Sequence, residues 1–245
     1  MNFINHLKNF IINSLYPRHL KCIACKGEIL NKNVYDLCPK CYKYLPFIKY
    51  NFCVRCGLPM PNEGSGTCLN CKRKNFDFEF ARSVFSFDDE IINIIHRFKY
   101  AKHKFLAQPL SYLLYDKLLV EDWKIDLIAY APLHPNREKS RGYNQSRELA
   151  SELSKLSNIP MFNDIIRIKD TPSQTSLTRI QREENVKDCF KINSPSNIKD
   201  LNILIVDDVF TTGSTTNEIA KLLKHHHANK VYVLTVAHAG FEQKF

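Results

Sequence analysis

The spacing of apolar positions changes character twice along the chain. Over residues 1–20, Phe3, Ile4, Leu7, Phe10, Ile11 and Leu15 recur at helical spacing and predict an amphipathic helix. That helix either packs on the protein or lies on a membrane surface. Asn5, His6, Lys8 and Asn9 interrupt the apolar run and no small-residue cleavage site follows, so the segment does not read as a signal peptide. Residues 21–75 carry no long period and are dotted with Pro and Gly. From 76 to 245 strand-like and helix-like runs alternate, which predicts an α/β fold with a mostly parallel central sheet. The expected strands are Glu79–Phe87, Ile125–Ala131, Met161–Ile168, Leu201–Val206 and Lys230–Ala237. The expected helices are Asp88–Lys104, Gln108–Val120, Tyr143–Ser157 and Thr215–His227, and a long polar stretch follows the third strand to about Lys187. The run Lys72-Arg73-Lys74-Asn75 marks the junction between the second and third zones.

The middle zone is defined by its cysteines. Of the nine in the chain, eight form the C-x-x-C pairs Cys22/Cys25, Cys38/Cys41, Cys53/Cys56 and Cys68/Cys71, separated by 12, 11 and 11 residues. Each pair places two sulfurs on one tight knuckle, and two knuckles complete a tetrahedral site. Two zinc ions are expected, held in sequential order, with an interleaved pairing left open. Four thiolates leave no open coordination position, so the metals read as structural. Such a pattern indicates a reducing compartment. Cys189 stands alone and reads as a small buried apolar residue.

Charge is modified by this reading. The chain carries a formal +10, and residues 21–75 hold ten Lys/Arg against three Asp/Glu. Two four-thiolate zinc sites at −2 each lower that segment's surplus to about +3. Tyr35, Tyr42, Tyr44, Phe47, Tyr50 and Phe52 lie among these basic residues. They suit single-stranded nucleic acid, whose bases stack on rings while phosphates pair with cations. They equally suit the packing needs of a segment too short for a large core.

The strongest local chemistry lies at Ile203–Thr216. An apolar run ends at Asp207 and Asp208, and a small, hydroxyl-rich loop of Thr211, Thr212, Gly213, Ser214 and Thr215 leads into a helix. Ligands in open α/β sheets sit at the carboxyl ends of strands, and a helix N-terminus offers N–H groups to a phosphate. Two carboxylates would repel that phosphate, so they serve another part of the ligand, and vicinal ribose hydroxyls are the natural partners.

This segment resembles the phosphoribosyl-pyrophosphate (PRPP) motif of type I phosphoribosyltransferases. The resemblance implies that Asp207 and Asp208 hold the ribose and form the catalytic pair, that Thr211–Thr215 cradle the 5′-phosphate, and that magnesium bridges ribose and pyrophosphate. The turn Pro132-Leu133-His134-Pro135, followed by Arg137, Lys139 and Arg141, matches the pyrophosphate turn of that family. The run Arg141-Gly142-Tyr143-Asn144-Gln145, with the cysteine pairs upstream, is similar to the ComF family of competence proteins. Gln174, Leu177, Arg182, Asn185 and Val186 match that family's Q-x-x-L…R-x-x-N-V pattern. On this resemblance Leu133, His134, Arg141, Asn144, Gln145 and Arg182 are ligand-binding candidates. Arg167, Lys169, Arg179 and Arg182 would neutralise the leaving group, with a solvated helix face as the other reading of Arg179 and Arg182.

A ComF-like chain is expected to comprise helix 1–20, a double zinc ribbon over 21–75 and a phosphoribosyltransferase-like domain over 76–245. The resemblance implies DNA uptake in natural transformation, with PRPP and single-stranded DNA as ligands and a competence helicase or another DNA-processing protein as partner. It implies a cytoplasmic protein with no integral membrane segment, peripheral attachment to the inner face being left open by residues 1–20. The alternative is an active phosphoribosyltransferase working on a small acceptor. No cluster of residues declares a site for an acceptor base, and His134 is a candidate acid/base by position alone.

Overall fold

Four parallel strands organise the larger part of the chain. The computed structural model describes residues 21–31, 33–60, 66–100, 103–171, 179–193 and 198–240. The helix expected over 1–20 lies outside these, as do Gln174 and Leu177. Strands β1 (Phe80–Ser86), β2 (Leu127–Tyr130), β5 (Ile203–Phe210) and β6 (Val231–His238) form one sheet in the order β1-β6-β5-β2. All its pairings are parallel. A short hairpin-like pair, β3 (Ile165–Arg167) with β4 (Phe190–Ile192), runs antiparallel apart from it.

Both faces of the sheet are covered, as parallel sheets require. The helices are α1 (Pro39–Tyr44), α2 (Leu69–Arg73), α3 (Asp89–Tyr100), α4 (Ala107–Leu119), α5 (Pro135–Arg141), α6 (Gln145–Ser157), α7 (Arg179–Val186) and α8 (Ser214–His225). Leu204 and Val206 point to the face covered by α3, α4 and α6, through Ile94, Phe98, Leu110, Leu114 and Leu149. Ile203 and Ile205 point to the other, against Ile219 and Leu223 of α8 and Phe162, Ile165 and Phe190. This alternation along β5 follows from the two-residue period of a strand. Among the described residues no helix is long and apolar enough to cross a membrane.

Several elements depart from the expectations above. β5 runs on to Phe210, because Val209 and Phe210 still pair with Ala237 and His238 of β6. Asp207 and Asp208 therefore lie within the strand rather than after its end. The strand expected over Met161–Ile168 breaks in two. Met161 makes one parallel bridge to Ile128, and β3 then turns away to pair with β4. The polar stretch to Lys187 contains α7, and α3 is described as far as Tyr100, with residues 101–102 outside the described residues. Helix α5 was not expected: it is seven residues long and buries none of them, so it leaves no apolar period to read.

The cysteine-rich segment closes the free edge of β1. Phe47 bridges Phe85 in antiparallel fashion. The N–H of Ile48 donates to Val84 O at 2.8 Å, that of Ser86 to Pro46 O at 2.9 Å, and that of Ala81 to Arg55 O at 2.8 Å. An open edge would otherwise present unpaired backbone groups to solvent and to other chains. Gly57, at φ 73°, lies against the same edge, where a Cβ would come within 2.7 Å of Ala81 O. Three cations of the larger domain also reach ribbon carbonyls. Arg82 donates to Val54 O at 3.0 Å, Lys117 to Ile48 O at 3.2 Å, and Arg97 to Ile23 O. Arg82 is the best held. Its Nε pairs with Glu121 at 2.9 Å and its guanidinium lies 4.9 Å from the Phe52 ring centre and 5.7 Å from that of Trp123.

Replacing Arg82 with Ala strands Glu121 and the Val54 carbonyl together in a half-dry seam. The expected loss is about 3 kcal/mol, read from urea unfolding. An unchanged midpoint would mean that the seam does not hold the ribbon.

Candidate functional site

The eight cysteines gather in sequential order, Cys22, Cys25, Cys38 and Cys41 in one cluster and Cys53, Cys56, Cys68 and Cys71 in the other, so the interleaved pairing does not occur. Within each cluster the ligand atoms lie within 4.8 Å of one another. Sγ of Cys25 and Cys38 are 3.8 Å apart, as are those of Cys56 and Cys68. A tetrahedron of sulfurs at about 2.3 Å from zinc has edges of about 3.8 Å, so the donor set fits that ion. Backbone N–H groups point at the sulfurs, from Cys38 to Cys22 Sγ and from Cys41 to Cys38 Sγ at 3.4 Å, and from Cys68 to Cys53 Sγ at 3.2 Å. Such donors favour thiolate over thiol. The clusters differ in shelter: Cys25 is exposed, whereas Cys53, Cys56 and Cys68 are buried.

At the carboxyl end of the sheet lies a cleft of about 230 Å³. Asp207 and Asp208 are on β5, and the hydroxyl loop follows directly. Gly213 caps α8 at φ 72°, the left-handed conformation that Gly adopts without strain. A Cβ there would come within 2.6 Å of the Phe210 ring. Thr212 and Ser214 hydroxyls are 2.6 Å apart, and the Thr216 hydroxyl donates to Gly213 O at 3.2 Å. The 12-residue α8 aims the positive end of its dipole at this loop.

The acid pair is held by two residues that the sequence did not single out. Lys99 Nζ is 3.0 Å from Asp208 Oδ2. The Ser146 hydroxyl donates to Asp207 Oδ1 at 2.7 Å, which also accepts the Asp208 N–H at 2.9 Å. Burial, and then repulsion from the Asp208 carboxylate, push the Asp207 carboxyl up to about 7. Lys99 did leave a signal: it stands four residues beyond Ile95 and eight beyond Ile91, on the buried face of an amphipathic helix. Ser146 left none.

Of the other candidates, Leu133, Arg141, Gln145, Thr211, Gly213, Ser214 and Thr215 line the cleft. Thr212 is turned to Ser214 and is not in the lining. His134 caps α5, accepting the Asn136 N–H at 3.3 Å, and faces Asp170 at 3.4 Å. Asn144 is buried and caps α6, accepting from Arg147 N at 3.2 Å and donating to Ala131 O at 3.1 Å. The side chains of Arg179 and Arg182 lie outside the described residues. Arg137 and Arg167 line the cleft. Both are tied to Thr171, Arg137 by its carbonyl at 2.9 Å and Arg167 by its hydroxyl at 2.6 Å.

The Arg141–Gln145 run is chiefly a clamp on α3. The Tyr143 hydroxyl donates to Phe98 O, and the Gln145 amide lies 3.4 Å from both Phe98 O and Lys99 O. Arg141 donates to Gln145 Oε1 at 2.7 Å and lies 5.1 Å from the Tyr100 ring centre. These groups reach carbonyls of the last described turn of α3. The same contacts fix the turn of helix from which Lys99 reaches Asp208.

The double zinc ribbon domain family matches residues 11–72 and the phosphoribosyl transferase domain family matches 139–244. Competence protein F of Haemophilus influenzae is 32% identical over 231 residues, 90% of this chain and 98% of its own. The chain belongs to the ComF family of competence proteins. Another relative, the DNA utilization protein YhgH of Escherichia coli K12, is 31% identical over 187 residues, 74% of this chain and 81% of its own. Among solved structures, adenine phosphoribosyltransferase of Saccharomyces cerevisiae covers 55% of this chain and 69% of its own at 18% identity, with a TM-score of 0.37. In this ComF-family chain a zinc ribbon is thus stitched to the edge of a phosphoribosyltransferase-type sheet.

Two measurements follow. A colorimetric chelator is expected to draw one zinc equivalent quickly, from the cluster with exposed Cys25, and the second far more slowly; release of both in one phase would contradict the difference in shelter. The second concerns pH. Asp207 binds its proton more tightly folded than unfolded, so the wild type loses stability as pH rises from about 4 to about 7 and no further above that. Asp207→Asn removes this loss. Its stability gain over wild type should therefore be larger at pH 8 than at pH 5 in urea titrations, and a gain independent of pH would refute the raised carboxyl.

Proposed function

We propose that the chain binds PRPP in the β5 cleft and single-stranded DNA on the zinc ribbon, in the handling of incoming DNA. The observation that carries the first half is the composition of one cleft. Lys99, Arg137, Arg141 and Arg167 line it together with the Asp207/Asp208 pair and the loop at the α8 N-terminus. Four cations against two acids, one of them pushed toward neutrality, call for a polyanion. The carboxylates exclude phosphate from their own corner and suit hydroxyls. A 5-phosphate on the loop, vicinal hydroxyls on the acids and pyrophosphate among the cations would satisfy every group. Magnesium would enter with PRPP and supply charge neutralisation on the pyrophosphate. Asp207 and Asp208 orient the ribose, and Ser146 and Lys99 hold those carboxylates in place.

The ribbon half rests on how the six aromatics divide. Tyr35, Phe47 and Phe52 are used in packing: the Tyr35 hydroxyl donates to Asp116 at 2.5 Å, Phe47 meets Phe85, and Phe52 lies under Arg82 and Lys117. Tyr42, Tyr44 and Tyr50 are exposed, the last two by 70% and 82%. Lys40, Lys43 and Lys49 stand beside them in the chain, and Lys43 lies 5.4 Å from the Tyr44 ring centre. Exposed rings interleaved with cations suit stacked bases and phosphates. The relatives' names, a competence protein and a DNA utilization protein, agree with this reading.

Calorimetry tests both halves. PRPP with magnesium should bind the wild type and fail to bind Asp207→Ala/Asp208→Ala. An oligonucleotide should bind with an affinity that falls as salt rises and falls again, by about tenfold, in Tyr44→Ala/Tyr50→Ala. Absence of PRPP binding to the wild type would end the cleft reading. Pyrophosphate release from bound PRPP in the presence of an acceptor would instead favour an active transferase.

A further inference from the structure

Behind the hydroxyl loop, on the side away from the cleft, stands the second cysteine cluster. Cys53, Cys56 and Cys68 are buried in one group with Phe76, Phe78 and Phe210, and Phe210 immediately precedes the loop. Arg55, which lies between Cys53 and Cys56 in the chain, donates from Nη2 to Phe76 O at 2.7 Å. The Phe76 ring sits so close to Gly213 that a Cβ there would come within 3.1 Å of it. Phe76 stacks on Phe78 with ring centres 4.6 Å apart, and Phe78 stands at 83° to the Phe210 ring, centres 6.0 Å apart. The next residue, Asp77, is joined to the first turn of α8 by two hydrogen bonds. Its N–H donates to Asn217 Oδ1 at 2.7 Å, and the Asn217 amide donates to Asp77 Oδ2 at 3.1 Å. The Asn217 N–H in turn donates to Gly213 O at 2.8 Å. The first cluster faces elsewhere: Cys22 packs with the core under α3 and α4, and Tyr35 bonds Asp116 of α4.

We infer that Asp77 and Asn217 are positioning residues for the phosphate loop, and that through them and Phe76 the second zinc and a ligand 5-phosphate strengthen each other's binding. The inference rests on the phosphoribosyl reading of the cleft. A loop binds phosphate more tightly the better its donors are aimed beforehand. The Thr212–Ser214 and Thr216–Gly213 bonds hold the loop's own shape. Its placement on the sheet comes from Phe76 and from the Asp77–Asn217 pair, and both follow Cys71 within six residues. Freeing the four thiolates from a common metal slackens Arg55 and Phe76 together, and the loop loses its support from behind. The effect is mutual and of equal size in both directions, as any coupling between two binding events must be. A filled loop therefore resists the opening by which a chelator reaches the buried thiolates.

The test follows zinc release from the zinc-loaded full chain to a colorimetric chelator, without ribose 5-phosphate and at a saturating level set by calorimetry. In the wild type the ligand should slow the slower phase at least about fivefold. The faster phase, from the cluster with exposed Cys25, should not change. Asn217→Ala removes both hydrogen bonds and leaves a good helix former in α8. It should bind ribose 5-phosphate at least about fivefold more weakly, and lose most of the protection even at equal saturation. Asp77→Asn keeps an acceptor for the Asn217 amide and should keep both affinity and protection. Undiminished protection in Asn217→Ala at equal saturation would mean that the ligand acts only by opposing global unfolding, and would overturn the coupling. Wild-type affinity in Asn217→Ala would remove the positioning role. Ribose 5-phosphate that binds the wild type without slowing the slower phase would overturn the inference and leave the phosphoribosyl reading standing. Failure of ribose 5-phosphate to bind the wild type would overturn that reading and the inference with it.

Discussion

Val209 and Phe210 still find ladder partners on β6, and so β5 carries Asp207 and Asp208 inside the sheet instead of beyond it. Much of the site answers to that placement. Both carboxylates line the cleft, and neither is freely hydrated. Each then needs a local donor: Ser146 for Asp207 and Lys99 for Asp208. Lys99 can serve only if the end of α3 is held, which is what Tyr143, Gln145 and Arg141 accomplish. The most family-specific motif thus also acts on the acids through a helix end, besides bringing Arg141 and Gln145 into the cleft lining.

The ribbon is bound by a comparable economy of means. Its two metal clusters organise knuckles but leave little apolar interior. It therefore borrows order from the sheet, by pairing with the β1 edge and by giving backbone carbonyls to Arg82, Arg97 and Lys117. Burial makes it harder for Arg97 and Lys117 to stay charged, which is tolerable only while those carbonyls are in place. The sheet gains a covered edge in return, since β1 would otherwise offer a free template.

What could be read from the sequence was the chemistry carried by neighbours in the chain. The C-x-x-C knuckles and the small loop before α8 declare themselves through spacing alone, whereas the sequential grouping of the knuckles is decided by the fold. The six aromatics could not be divided between packing and exposure, because that depends on Phe85, Asp116 and Arg82, far away in sequence. Helix α5, strand β4 and the pairing of β4 with β3 were invisible for a related reason. They are short, largely polar or paired across a long gap, and they are held by tertiary contacts rather than by a period of their own. The end of β5 was misplaced because the partner that prolongs it is β6, which comes later in the chain. Asn144 and Gln145 were ligand candidates by resemblance, and the sequence did not show that Asn144 also bonds Ala131 O or that Gln145, in the cleft lining, also reaches the end of α3.

The register of the strands has a mechanical side. Phe47 of the ribbon stands beside Phe85, Phe85 beside Ala237, and Ala237 beside Val209, one residue from Asp208. A transverse row of backbone pairs thus runs from the zinc-bearing segment to the acid pair. A pull on the ribbon along the strand direction loads these pairs side by side in shear, where they share the force, rather than one after another as in peeling. A load applied to the ribbon in that direction is therefore passed into the same sheet that carries the cleft.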